Sequence, residues 1–227
     1  MRCFSIRYNV RREASRSRTE IEFRDSSLVL LSGGINSSVM LSYLISKNLR
    51  NIEAIFFQYH SCSNAEEKSA REIAHYYHVK LTVVNLHPIF DILKTKDTYM
   101  EFRQKNDYYV PYRNGVFVSV AASFAYSKRL RNVIWPVSEV SSAYYSDCCM
   151  QFADHQKLCL IFGTYAKLEL STPLLFITKS EIFELGTRLK VPYNLTWSCI
   201  TSGREPCGRC FGCQERKKLG LKYNYEV

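Results

Sequence analysis

Residues 28–48 read LVLLSGGINSSVMLSYLISKN, and the rest of the chain is organised around them. Leu28 to Leu31 form an apolar run short enough for a buried strand. Ser32, Gly33 and Gly34 break that run. From Ser37 to Lys47 the apolar residues Val39, Met40, Tyr43 and Leu44 recur at helical spacing. A strand, a glycine turn and a helix in this order leave several backbone N–H groups pointing into one space, where the helix dipole adds partial positive charge. Such a corner binds an anion, usually a phosphate. Two glycines would let that phosphate approach the backbone without a side chain in the way. No Gly-Lys-Ser/Thr follows, so the turn is not a Walker loop, and the spacing of a dinucleotide fingerprint is absent. The plain alternative is an ordinary strand-to-helix turn built from small residues.

The string resembles the pyrophosphate loop, SGGxDS, of the ATP pyrophosphatases, enzymes that cut ATP between its α and β phosphates and adenylate an oxygen of their substrate. The match runs through Ser32, Gly33, Gly34 and Ser37. Asn36 stands where the family has Asp. That Asp is associated with the magnesium that neutralises pyrophosphate, and a neutral amide oxygen should hold the metal less well.

A chain of 227 residues with 46% hydrophobic and 23% charged content fits one α/β domain with a small appendage. No apolar run approaches the length of a membrane span and no signal-peptide core is present, so a cytoplasmic protein without a membrane partner is expected. The formal net charge is +10, and much of it lies at the ends. Residues 1–24 hold seven Arg against three acids, and 199–227 hold six Lys or Arg against three. An excess of this kind suits ATP, nucleic acid or simple solubility.

Before the glycine corner, Cys3 to Tyr8 and Thr19 to Phe23 alternate apolar and polar residues, which reads as a basic hairpin or a basic arm over residues 1–24. Beyond the first helix, Ile52 to Tyr59 reads as a second buried strand, Asn64 to Tyr77 as a helix and Leu81 to Leu86 as a third strand. This rhythm predicts an α/β fold with a doubly wound parallel sheet, in which ligands bind beyond the carboxyl ends of the strands. Pro88 to Val110 reads as a helical turn and an excursion near the site. Helices are expected over Asn114 to Lys128, Asp147 to Phe162 and Lys179 to Leu189. A further strand is expected at Asn132 to Val137, and a short strand or extended piece at Leu168 to Pro173. The expected organisation is the arm at 1–24, an α/β domain at 25–195 and a C-terminal module at 196–227.

The chain has nine cysteines. Four of them, Cys199, Cys207, Cys210 and Cys213, are spaced C-x7-C-x2-C-x2-C, which lets four thiolates close a tetrahedral Zn2+ site with no open position. Glycines between them let backbone N–H groups reach the sulfurs. The expected role is structural, pinning a segment with little apolar content of its own. An iron–sulfur cluster or unpaired thiols are the alternatives. A cluster run usually ends in Pro, whereas Gln214 follows Cys213 here.

From about Leu28 to Leu219 the chain resembles the 7-cyano-7-deazaguanine synthase family. VPYRN at 110–114 is similar to its VPxRN. Tyr145, Asp147 and Cys148 echo YPDC, with Ser146 for Pro. TPL followed by Lys179 and Glu181 resembles TPL…K.EI, and TWSC followed by CGRCFGCQER is close to its ending. The resemblance implies an adenine nucleotide alpha hydrolase-like fold, a homodimer, and ATP with Mg2+. It implies a reaction that turns a carboxylate on 7-deazaguanine into a nitrile. Ser32, Gly33, Gly34, Asn36, Ser37 and Ser38 would hold pyrophosphate, and Lys179 and Arg113 would place cations on phosphate oxygens. Asp147 would bind the purine-like ring or a metal. The plain alternatives are a helix-start charge for Lys179, a surface salt bridge for Arg113 and a cap on the following helix for Asp147.

Three departures bear on product and substrate. These are Asn36, the stretch YHSCSN at 59–64 where the family has YGQRH, and Trp135-Pro136 where it has small residues. The expected activity is ATP-dependent adenylation of 7-carboxy-7-deazaguanine, with ammonia giving amide or nitrile, and Asn36 reducing or altering it. Alternatives are adenylation with a protein or nucleic-acid amine as acceptor, and a degenerate fold that binds a deazapurine or a macromolecule. A further one is a tRNA thiolase using Cys62 or Cys148.

Overall fold

The computed structural model describes residues 26–59, 64–92, 110, 112–138, 146–200 and 205–222. The expected arm at 1–24, most of the excursion at 88–110, Tyr145 and Cys62 lie outside them.

The first strand, β1 (Ser26–Leu30), carries Leu28 and Val29 at zero exposure. The chain turns at Ser32 to Gly34 into α1 (Ile35–Ser46). Then come β2 (Asn51–Gln58), α2 (Asn64–Tyr76), β3 (Lys80–Asn85) and α3 (His87–Ile92). Helix α4 (Arg113–Ser127) precedes β4 (Asn132–Ile134), α5 (Met150–Gly163) and β5 (Glu169–Ser171). Helix α6 (Lys179–Arg188) and α7 (Phe211–Lys218) follow.

The five strands pair in the order β3-β2-β1-β4-β5, all parallel. The expected doubly wound sheet is therefore present. Alternation along β1 and β2 divides the core in two, because successive side chains point to opposite faces. Leu28, Leu30, Ile55 and Phe57 face Val118, Ala121 and Ala125 of α4 and Ala153 and Leu160 of α5. Val29, Leu31, Ala54 and Phe56 face Val39, Met40 and Leu44 of α1, Ala70 and Ile73 of α2, and Ile182 of α6. Small residues on α4 let it approach the sheet closely. Each fully buried Leu or Val in these layers contributes about 1.5–3 kcal/mol.

Two elements differ from expectation. Strand β4 stops at Ile134 rather than Val137. Trp135 N–H still bonds the Ser171 carbonyl at 2.9 Å, but Pro136 has no N–H for the ladder, and Val137 N–H turns back to the Trp135 carbonyl at 2.9 Å. The helix expected from Asp147 is a short 3-10 turn over Ser146–Cys148, with α5 starting at Met150. The Asp147 carboxylate is engaged elsewhere, as described below. None of the described helices is long and apolar enough to cross a membrane.

Candidate active site

Turn hydroxyls build the glycine corner. Ser37 Oγ accepts from Ser32 N–H at 3.2 Å and lies 3.1 Å from Ser32 Oγ. Ser37 and Ser38 both donate to the Gly34 carbonyl, at 3.1 and 2.8 Å. Gly34 caps α1 without a side-chain hydrogen bond, and no acid sits in the first turn. The first N–H groups of α1 are thus left to an anion. Gly33 is also required by the fold. Its φ is +76°, and an added Cβ would come within 2.6 Å of the Glu66 carbonyl oxygen and 2.8 Å of the Ala70 nitrogen. Left-handed backbone and the close pass of α2 both demand glycine here.

A cavity of about 380 Å³ opens where β1, β2 and β4 end, the place a doubly wound sheet reserves for ligands. Ser32, Gly34, Asn36 and Ser37 line one end of it, with Lys179. Thr178 and Glu181 close a capping box at the start of α6, which fixes the backbone of Lys179 and Ser180 between them. Lys179 Nζ donates to Asn36 Oδ1, and Asn36 Nδ2 donates to Ser138 Oγ at 3.0 Å. No carboxylate lies within ion-pair distance of Lys179 among the described residues. Loss of hydration pulls its ammonium down to about 8, and the negative charge of Glu215 only partly opposes that. A cation at the start of a helix also meets the unfavourable end of the dipole. Both effects would be relieved by an anion.

The other end is aromatic. Phe57 and Phe117 stack with centroids 4.7 Å apart, and Tyr59 meets Phe117 edge-on at 5.3 Å. Arg113, the first residue of α4, lies over both Tyr59 and Phe117, at 5.4 and 5.9 Å, and its Nη1 donates to the Tyr59 hydroxyl at 3.1 Å. Trp135 borders the same space at 6% exposure and packs edge-on against Phe152. It fills volume beside the cavity, as its size implies.

Of the sequence-derived residues, Ser32, Gly34, Asn36, Ser37, Arg113 and Lys179 meet around this cavity, while Gly33 and Ser38 support the corner from behind. Asp147 sits apart from them. It is buried, is not among the lining side chains, and its Oδ2 accepts from Asn114 N–H at 3.0 Å in the first turn of α4. It caps a helix that precedes it by 33 residues, not the one that follows. Cys148 does line the cavity, but burial and then the Asp147 charge push its thiol up to about 12. A raised thiol pKa disfavours the thiolate form that a nucleophilic cysteine uses.

The four cysteines come together. Their sulfurs all lie within 4.8 Å of one another, with Cys199 to Cys207 at 3.7 Å and Cys199 to Cys210 at 3.9 Å. A tetrahedron with metal–sulfur bonds of about 2.3 Å has edges of about 3.8 Å, so the set fits a metal. Backbone N–H groups of Cys207, Cys210 and Cys213 point at sulfurs at 3.3–3.4 Å. Burial opposes the Cys207 thiolate, but the N–H groups of Arg209 and Cys210 outweigh it and bring that thiol down to about 6.

Trp197, Arg216 and Ser138 carry no expected role from sequence. Trp197 N–H donates to the Gly33 carbonyl at 2.9 Å, tying the cysteine segment to the anion corner. Arg216, 1% exposed, donates to Thr196 Oγ1 and to the carbonyls of Tyr193 and Lys222. Both lie in the strings TWSC and CGRCFGCQER, but their contacts cross segments. A lone Ser138 carries no sequence signal.

Residues 26–224 match the family model for queuosine biosynthesis protein QueC. The 7-cyano-7-deazaguanine synthase of Thermoplasma acidophilum is 34% identical over 208 residues, covering 86% of this chain and 87% of that one. The synthase of Caldicellulosiruptor saccharolyticus is 29% identical over 216 residues, covering 88% and 96%. Among solved structures, a glutamine-dependent NAD+ synthetase from Acinetobacter baumannii in complex with adenosine diphosphate has a TM-score of 0.50. It is 17% identical and covers 75% of this chain and 31% of that chain, which bears on the fold alone. The chain belongs to the queuosine biosynthesis protein QueC family.

Proposed function

We propose that this protein adenylates 7-carboxy-7-deazaguanine with ATP and passes the activated carbonyl to ammonia. The carboxylate oxygen attacks the α phosphorus and pyrophosphate leaves. Ammonia then displaces AMP to give the amide. A second ATP adenylates the amide oxygen, and loss of AMP with the amide protons leaves the nitrile. Pyrophosphate departs twice, and its charge must be held each time. Ser32, Ser37 and the first N–H groups of α1 would hold it, with Lys179 as the cation. The observation that carries this reading is Lys179, a partly buried ammonium aimed at an amide rather than a carboxylate and set beside an uncapped helix start.

Asn36 Oδ1 already accepts from the Lys179 ammonium, which makes it a poor ligand for a divalent cation. Magnesium therefore enters this proposal only as the companion of the ATP phosphates, and no step runs through it. Cys199, Cys207, Cys210 and Cys213 would hold zinc, which supplies a cross-link for the C-terminal segment. Domain boundaries near residues 25 and 196 are part of the same proposal.

The test is incubation with ATP, magnesium and 7-carboxy-7-deazaguanine, with and without ammonia, followed by mass spectrometry. Nitrile with two AMP per product supports the proposal. An absence of AMP under every condition overturns it, and AMP formed only with an added protein or nucleic acid replaces ammonia as the acceptor.

A further inference from the structure

We propose that Arg113, oriented by the Tyr59 hydroxyl, binds the carboxylate of the substrate, and that the aromatic end of the cavity takes the flat ring that bears it. This rests on the reading above of a heteroaromatic carboxylate as the group that receives AMP. The sequence alone puts Arg113 on phosphate, and the fold separates it from the phosphate corner. Helix α1 and α6, which carry that corner and Lys179, pack on one face of the sheet. Helix α4, which begins with Arg113, packs on the other. A nucleotide with its pyrophosphate at the α1 end would present its α phosphorus toward the middle of the cavity. The acceptor must come from the opposite side, where Arg113 stands.

The chemistry of that end fits such an acceptor. Phe57, Phe117 and Trp135 give that end of the cavity an apolar, aromatic lining suited to the edge of a fused ring. A guanidinium matches a carboxylate as a planar fork, which an ammonium cannot do. Tyr59 engages Nη1 at 3.1 Å and lies under the guanidinium at 5.4 Å. The hydroxyl therefore fixes the rotation of the fork, and the ring supports its charge. Cys148 beside it is neutral, so this part of the wall adds no thiolate to compete with the carboxylate. Tyr59 is thus a positioning residue, acting through Arg113.

The experiment is calorimetric titration of the full chain and of its Tyr59→Phe and Arg113→Lys variants. Three probes are used: 7-carboxy-7-deazaguanine, 7-deazaguanine lacking the carboxylate, and a non-hydrolysable ATP analogue. Arg113→Lys is expected to weaken the carboxylate compound about tenfold or more and to leave the other two within about twofold. Tyr59→Phe keeps the ring and removes the hydroxyl, and is expected to weaken the carboxylate compound alone by roughly threefold to tenfold. In turnover, the same variant should raise KM for the carboxylate substrate and leave KM for ATP unchanged. If Arg113→Lys weakens the ATP analogue as much as the carboxylate compound, Arg113 belongs to the phosphates and the inference fails while the proposed function stands. If Tyr59→Phe changes nothing, its positioning role is overturned. If the unaltered protein binds the ATP analogue but neither deazapurine, the proposed function itself fails and takes this inference with it.

Discussion

Lys179 joins charge, burial and the proposed hold on pyrophosphate in one side chain. Its folded pKa is about 8 against an ordinary 10.5, because burial disfavours the charged form. Between those values an unfolded chain keeps the proton and the folded one does not, so this group contributes stability that rises with pH across that window. ATP reverses the preference, since a polyanion favours the ammonium. Above pH 8, binding must therefore take up about one proton, and affinity must fall as that proton becomes harder to supply. Calorimetry in two buffers of different ionisation heat reads the uptake directly. Lys179→Met should abolish it and weaken ATP roughly tenfold to hundredfold, the range of a lost charge-assisted hydrogen bond. Asn36→Asp tests the neighbour. A carboxylate in place of the amide that now accepts from Lys179 raises the lysine pKa. The alkaline loss of ATP affinity should then move to higher pH. An unchanged profile would mean that the two side chains are not coupled.

At the level of elements, the cysteine segment reaches further than a cross-link. Gly212 lies on α7 where an added Cβ would overlap the Ser198 carbonyl oxygen, so α7 rests directly on the backbone that follows Trp197. Gly212→Ala should push that contact apart at a cost of about 1–3 kcal/mol. Because Trp197 N–H holds the Gly33 carbonyl, the same change should weaken ATP binding as well as lower the melting temperature. A melting-point loss with unchanged ATP affinity would show that the tie to the corner is incidental. The local pattern made several elements legible: the cysteine spacing stands out in sequence, as do the first four strands and α1. What they touch did not. Asp147 looks like a cap for the residues after it because capping is usually local, yet its partner, Asn114, comes from an earlier segment. Arg216 reads as a surface charge by composition, and its burial appears only once three oxygen acceptors are brought around it. The close pass of α2 over Gly33 is equally invisible in sequence, since α2 is distant in the chain.

Taken as a whole, the molecule has two sources of order that need not fail together. The sheet is covered on both faces by its own helices, with Leu28, Val29, Ile55 and Val133 fully buried without help from the cysteines. Segment 196–222 adds a small cluster of Trp197, Cys199 and Cys213. It leans on the α/β body through Leu219 and Leu221 and through Arg216, whose acceptors include the Tyr193 carbonyl. A segment this poor in apolar residues would depend on a metal held by the four cysteines for a fixed shape, as proposed above, whereas the sheet would not. Chelation of the full protein should therefore strip amide protection from 196–222 and leave protection in β1, β2 and β4 largely intact. Hydrogen exchange read by mass spectrometry separates the two regions. The body should lose some stability, because Leu219 and Leu221 no longer cover it, and ATP affinity should fall once Trp197 releases Gly33. Simultaneous loss of protection in strands and cysteine segment would show one cooperative unit, and the boundary near residue 196 would have no energetic meaning.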